Sequence, residues 1–291
     1  MFQKISNQSA AYGGIFAHIG YWVTSSTGDY VYQNPDFVES DTEEFTDIFC
    51  IHGTADRPQS FSRVAERLLD KKLPGNIRSI TLVAFDGRLE GNSIEYFAVQ
   101  IIEKIKINKC KRVILMGHSR GALVAAYADF LASENGITVE WVFSLAGPFK
   151  GSYLAKLASW ISTSAYEMEP GSEFLKIITK WVNKSPAHYV FFEAVDDYIV
   201  TKGQGYVDEY IQKKPWSLVE IDTVHGHLSL MSSHKLVNKI HLILTTPVEN
   251  YERLPQLLRD DEPDAVNLLS ICETDDKEYG SEEKQPGIFD F

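Results

Sequence analysis

Short apolar runs separated by helix-length amphipathic stretches set the pattern of this chain. Residues 46–51, 80–85, 113–116, 139–145, 187–194 and 217–221 are apolar and rich in Ile, Val, Phe and Leu. They read as buried strands. An earlier run, Tyr30-Val31-Tyr32, is stopped by Asn34-Pro35-Asp36. Between the runs the period changes to that of a helix. Phe61, Val64, Leu68 and Leu69 fall on one face after Ser60, a suitable N-cap. Ser93 is placed to cap a helix carrying Ile94, Phe97, Ala98, Ile101, Ile102 and Ile105. Alanine-rich residues 122–134 and residues 232–242 complete the set. Strands that are apolar throughout and alternate with helices predict an α/β fold. Its sheet is mostly parallel and doubly wound, covered on both faces. Right-handed crossovers bring all the strand C-termini to one edge. His52-Gly53-Thr54, Asp86, Ser119 and Gly147-Pro148 therefore gather there.

The rhythm breaks over residues 151–186. Tyr153, Leu154, Leu157, Trp160 and Ile161, and then Phe174, Leu175, Ile177, Ile178, Trp181 and Val182, keep helical spacing without an intervening strand. They are either core or a helical lid inserted over the active edge. The expected domains are an N-terminal segment (1–45) covering or extending the sheet, an α/β domain (46–246) with the insertion, and a tail (247–291). From Asp260 to Phe291 the chain holds eleven acidic residues and two lysines, so this stretch carries −9 of the net −12. It reads as an appended disordered segment. Residues 9–23 are apolar and aromatic but too short and glycine-rich to span a bilayer, which leaves contact with a membrane surface open.

With 44% hydrophobic and 23% charged residues, the composition is that of a soluble globular protein. The acidic balance and the lack of a basic cluster exclude nucleic acid as a partner. Cys50, Cys110 and Cys272 are far apart and in no metal-like spacing, so free thiols in a reducing compartment are expected. No signal peptide is evident, and the expected location is cytoplasmic. An alternative is suggested by Glu278, Glu282 and Glu283 followed by Ile288, Phe289 and Phe291. That ending is similar to the C-terminal signals of type IV secretion substrates.

The chemistry centres on Gly117-His118-Ser119-Arg120-Gly121, set between an apolar strand and an alanine-rich helix. In that context G-x-S-x-G is a nucleophile elbow: a sharp turn holds the serine out above the sheet edge. A serine hydroxyl needs a base, an orienting acid and an oxyanion site. The base candidates are His227, whose Gly-His-Leu-Ser-Leu context leads into the last helix, and His225. Asp197, with Val200 three residues on, is the better acid, and Asp196 the alternative. Backbone N–H groups of Thr54 and Arg120 are the natural oxyanion pair. A zinc site on His225-x-His227 and the Asp pair is a minor alternative, because it leaves the elbow without a purpose. Otherwise no metal and no cofactor is expected.

Taken together, these pieces resemble the α/β-hydrolase superfamily, and within it the bacterial lipases and esterases, including the GPI inositol-deacylase-like group. Ile51-His52-Gly53-Thr54 is similar to its oxyanion loop, and 117–121 to its G-H-S-x-G elbow. Residues 145–152 (LAGPFKGS) resemble its G-T-P-h-x-G-S segment, and 168–175 (MEPGSEFL) its lid-region L-x-P-G-S-x-F-L. Ser119, Asp197 and His227 also follow the superfamily's chain order. The resemblance implies hydrolysis of carboxylic esters, often lipid esters, through an acyl-serine. Acyl transfer or thioester cleavage could use the same residues, and a non-catalytic binding protein could keep the fold. Oligomeric state is not legible in the sequence.

Overall fold

The computed structural model describes residues 28–40, 44–54, 56–87, 89–152, 162–221 and 225–258. Each apolar run predicted as a strand forms one. They are β1 (Tyr30–Gln33), β2 (Thr46–Ile51), β3 (Ile77–Val83), β4 (Arg112–His118), β5 (Thr138–Leu145), β6 (His188–Ala194) and β7 (Leu218–Ile221). They make one sheet in the order β1-β3-β2-β4-β5-β6-β7. Every pairing is parallel except that of β1, which lies antiparallel to β3.

From β2 onward, strand order reverses direction once. From β2 the chain steps outward to β3, then returns past β2 to place β4 on its other side, with Ile51 level with Gly117. The C-terminal ends of β2 and β4 therefore flank the topological switch point, where open α/β sheets take their ligands. The oxyanion-type loop follows β2 and the elbow follows β4, so the fold alone brings these two motifs side by side.

Side-chain alternation along the central strands splits the core into two layers. Phe49, Ile51, Val113 and Leu115 face one layer, which is closed by α2 (Ile94–Ile107), α3 (Arg120–Glu134), α5 (Glu173–Val182) and α6 (Asp208–Lys213). Ile48, Cys50, Ile114 and Met116 face the other, closed by α1 (Ser62–Asp70), α7 (His234–Thr245) and α8 (Leu254–Leu257). This is the doubly wound arrangement the sequence predicts. The short helix α4 (Thr163–Glu167) lies between β5 and α5 in the chain.

Helix starts follow local chemistry. Ser93 Oγ accepts from the Tyr96 N–H at 3.1 Å, Ser172 Oγ from Leu175 at 3.2 Å, and Ser233 Oγ from Leu236 at 3.2 Å. Ser60 does not cap α1. It lies inside a 3-10 turn, Pro58–Phe61, and the helix begins after Phe61 without a side-chain cap. Pro58 favours the tighter turn at this position by fixing its φ.

The packed chain also extends past residue 247, where the charge pattern places the start of the tail. Val248–Arg253 forms a 3-10 turn, α8 follows, and Leu254 is fully buried. Apolar spacing at Tyr251, Leu254 and Leu258 outweighs the rising acidity of this stretch. Residues 9–23, Tyr153 to Ile161, Cys272 and the strongly acidic stretch from Asp260 lie outside the described residues. Cys50 and Cys110 are free and buried. Burial pushes the Cys110 thiol up to about 12 and raises that of Cys50 further. Among the described residues no helix is long and apolar enough to cross a membrane.

Candidate active site

Ser119 joins β4 to α3 with φ 55° and ψ −125°, a conformation non-glycine residues rarely adopt. Its N–H donates to the Leu145 carbonyl at 2.9 Å, and its carbonyl accepts from the Ala122 N–H at 3.0 Å. The turn is that sharp because α3 folds straight back over the strand. A Cβ on Gly117 would lie 2.2 Å from the Gly121 oxygen, and one on Gly121 would lie 2.1 Å from the Ile51 oxygen. Only glycine at both places allows the backbones to approach this closely. Gly53 keeps the neighbouring loop close to a lesser degree. A Cβ there would lie 3.1 Å from Ser119 Cβ and 3.3 Å from the His118 oxygen.

Thr54 follows Gly53 and is exposed, while Arg120 opens α3 and is buried. The first turn of α3 presents backbone N–H groups and the positive end of the helix dipole beside Ser119. The loop after β2 thus comes up against the serine at Gly53, and the helix start follows it directly.

Asp197 and His227 come from the loops after β6 and β7. The His227 Nδ1 lies 2.7 Å from Asp197 Oδ2, and both side chains are buried. The other carboxylate oxygen, Oδ1, accepts from the Ile199 N–H at 2.7 Å and the Val200 N–H at 2.9 Å. Those two bonds are why the residues following the acid matter: the turn grips one oxygen and aims the other at the imidazole. Asp196 and His225 are each half-buried and do not form this pair. With Nδ1 engaged by Asp197, Nε2 is the His227 nitrogen left for proton exchange.

His118 Nε2 lies 2.9 Å from the His227 carbonyl oxygen, and the two rings are 4.8 Å apart. The side chain of the residue before Ser119 thus holds the backbone of the loop that carries His227. His52 is fully buried, packs edge-on against Phe85, and has Nδ1 3.0 Å from the Gly53 oxygen, a structural placement. The Asp197 loop has a second support. Glu193, buried near the end of β6, accepts through Oε1 from Gly203 N–H at 3.0 Å and Gly205 N–H at 2.8 Å. Burial raises its carboxyl above the ordinary range. The zinc alternative has no donor set to support it: among the described residues no group of three or more His, Cys, Asp or Glu is placed to hold a metal ion.

The sequence reading missed these supports. A histidine inside the elbow and a glutamate inside a strand give no local hint of which distant loop they hold. For Glu193 the one available signal is a charged residue in an otherwise apolar run, a placement that needs a partner.

No protein-family model and no curated protein matches the chain. Solved structures do. A monoacylglycerol lipase from Paleococcus ferrophilus is 11% identical, with 80% of this chain and 99% of that one covered and a TM-score of 0.53. An esterase from Exiguobacterium antarcticum is 14% identical, with 75% and 96% covered and a TM-score of 0.52. The propeptide form of lipase BlEst2 from Bacillus licheniformis is 17% identical, with 75% of this chain covered and a TM-score of 0.51. This chain spans about half of that last one, 54%. Sheet order, the turn at Ser119 and these likenesses lead to one conclusion: the chain has the α/β-hydrolase fold.

Proposed function

We propose that the protein is a serine hydrolase of carboxylic esters, acting on lipid or other acyl esters through an acyl-serine. The observation that carries this reading is the buried 2.7 Å contact between Asp197 and His227. It is formed by loops at the same sheet edge as the positive-φ turn of Ser119. Ser119 Oγ attacks the acyl carbonyl, and His227 Nε2 takes its proton. Asp197 holds the tautomer that leaves Nε2 free for this and stabilises the imidazolium that forms. The Thr54 and Arg120 N–H groups receive the charge that develops on the carbonyl oxygen. His227 then returns the proton to the leaving alcohol, and water repeats the sequence to release the acid. The lipase and esterase names of the structural neighbours support the same class.

In this reading the α4 stretch, residues 162–172, forms a wall for the acyl group, while α5 packs into the core through Leu175, Ile178 and Val182. The test is turnover of short p-nitrophenyl esters by the wild type and by Ser119→Ala. The wild type hydrolyses them and the variant falls by about 10⁵-fold or more, to the level that the oxyanion site and binding alone sustain. Undiminished hydrolysis by the variant would remove the assignment. Adding an alcohol as competing acyl acceptor separates hydrolysis, in which free acid dominates, from acyl transfer.

A further inference from the structure

The side chain of Arg120 lies inside the protein, only 2% exposed, although its backbone stands at the serine. Its guanidinium carbon sits 4.2 Å over the Phe97 ring of α2. Its Nη1 reaches Ser164 Oγ of α4 at 3.4 Å. Ser164 is itself buried and lies 3.1 Å from Ser162 Oγ. Glu167 lies one turn further along α4. Burial raises its carboxyl above the ordinary range, with Glu95 adding to the rise and the Ile94 N–H and, least, Arg120 opposing it. Glu167 Oε2 also accepts from the Ile94 N–H at 2.7 Å, at the start of α2.

These contacts tie three elements together under the insertion. Further bonds fix the same stretch: Thr163 N–H donates to the Gly91 carbonyl at 2.8 Å, and Ser152 N–H to the Met168 carbonyl at 2.9 Å. Ser172 Oγ donates to the Glu167 carbonyl at 2.6 Å. The stretch from Ser162 to Met168 is therefore bonded to its surroundings at Thr163, Glu167 and Met168, and Arg120 reaches it at Ser164. A buried guanidinium is costly unless it is stacked and paired. Here the stacking partner lies on α2 and the hydrogen-bond partner on α4, outside the elbow. Placing the side chain in that nest also places the first turn of α3.

We infer that Arg120 is a positioning residue for the reaction at Ser119: its side chain, held by Phe97 and Ser164, fixes the Arg120 N–H at the oxyanion site and couples it to α4. The inference rests on the hydrolase reading. It makes α4 part of the catalytic support rather than a free flap. A displacement of about 1 Å in such a site can cost on the order of 100-fold in rate.

The experiment is steady-state kinetics with p-nitrophenyl butyrate, together with fluorophosphonate labelling of Ser119, on the full chain. Arg120→Met keeps the length and removes the charge and the fork. It is expected to lower kcat by about 10- to 100-fold with KM within about threefold, because an interaction made only in the transition state is weakened. Arg120→Lys restores part of the loss, since the charge returns without the planar fork. Should Arg120→Met not fold, Ser164→Ala serves. It removes the hydroxyl that Arg120 Nη1 reaches at 3.4 Å, so a fall in kcat of about threefold or more reports the lost contact. Wild-type kcat in either folded variant, or a change confined to KM, overturns the inference while leaving the hydrolase reading intact. A wild type that neither turns over nor labels overturns both.

Discussion

At the scale of single residues, two neighbours share a loop but not an environment. Asp197 is gripped by two backbone N–H groups and faces His227, whereas Asp196 is half-buried and outside that pair. Asp197→Asn is expected to lower kcat on short esters by about 10⁴-fold, because the carboxamide no longer holds the required tautomer. Asp196→Asn is expected to stay within about threefold. Kinetics of the two variants side by side check this, and equal losses would contradict it. A second prediction concerns backbone contact. Gly121→Ala pushes a methyl group against the Ile51 carbonyl, 2.1 Å from where its Cβ would lie. Denaturant unfolding should show a loss above about 3 kcal/mol or no folded protein at all. The close approach at Gly121 was legible in the sequence, because the G-x-S-x-G spacing states where two backbones meet. Asp196 stayed open beside Asp197, and the bonds from the Ile199 and Val200 N–H groups are what single out the gripped carboxylate. The side-chain roles of Arg120, His118 and Glu193 were not legible, since each depends on a partner from another loop.

At the scale of elements, Asp129 joins α3 to the far side of the same layer. Its Oδ2 accepts from Trp181 Nε1 at 2.7 Å, Ser185 Oγ at 2.6 Å and Tyr189 OH at 2.6 Å, and the residue is buried. Burial raises its carboxyl above the ordinary value of 3.8, against the three donors that lower it. The sign follows from linkage. A raised folded-state value means that the folded protein binds this proton more tightly than the unfolded chain does. The contribution is full below the unfolded value and is lost as pH rises through the folded one. The stability margin of the wild type over Asp129→Asn should therefore narrow as pH rises from about 4 through the raised folded value. Thermal unfolding of both proteins across that range checks it, and a margin that widens with pH would contradict it. The strands and most helices were readable from period alone. The start of α1 was not, because Pro58 and the burial of Pro58–Phe61 tightened the turn that a serine N-cap would otherwise have opened.

At the scale of the whole molecule, every proposed site residue and, among the described residues, both core layers lie between residues 28 and 258. Acidity suggested a boundary at 247, but Leu254 and Leu258 pack into the layer closed by α7. A chain ending at 260 keeps both of these leucines and serves as the reference. A chain ending at 247 loses two buried leucines, each worth about 2 kcal/mol or more on burial, and should melt several degrees lower. Matching midpoints for the two truncations would show that residues 248–258 contribute nothing to the core. Composition revealed the acidic stretch but could not place its start, because burial of a few leucines is decided by what they pack against.

The most direct test of the central claim is reaction of the full chain with a fluorophosphonate, followed by peptide mapping. An activated serine at the elbow predicts a single phosphonylated site at Ser119, strongly reduced in His227→Asn and absent in Ser119→Ala. Labelling elsewhere, or none in folded wild-type protein with and without detergent micelles, would contradict it.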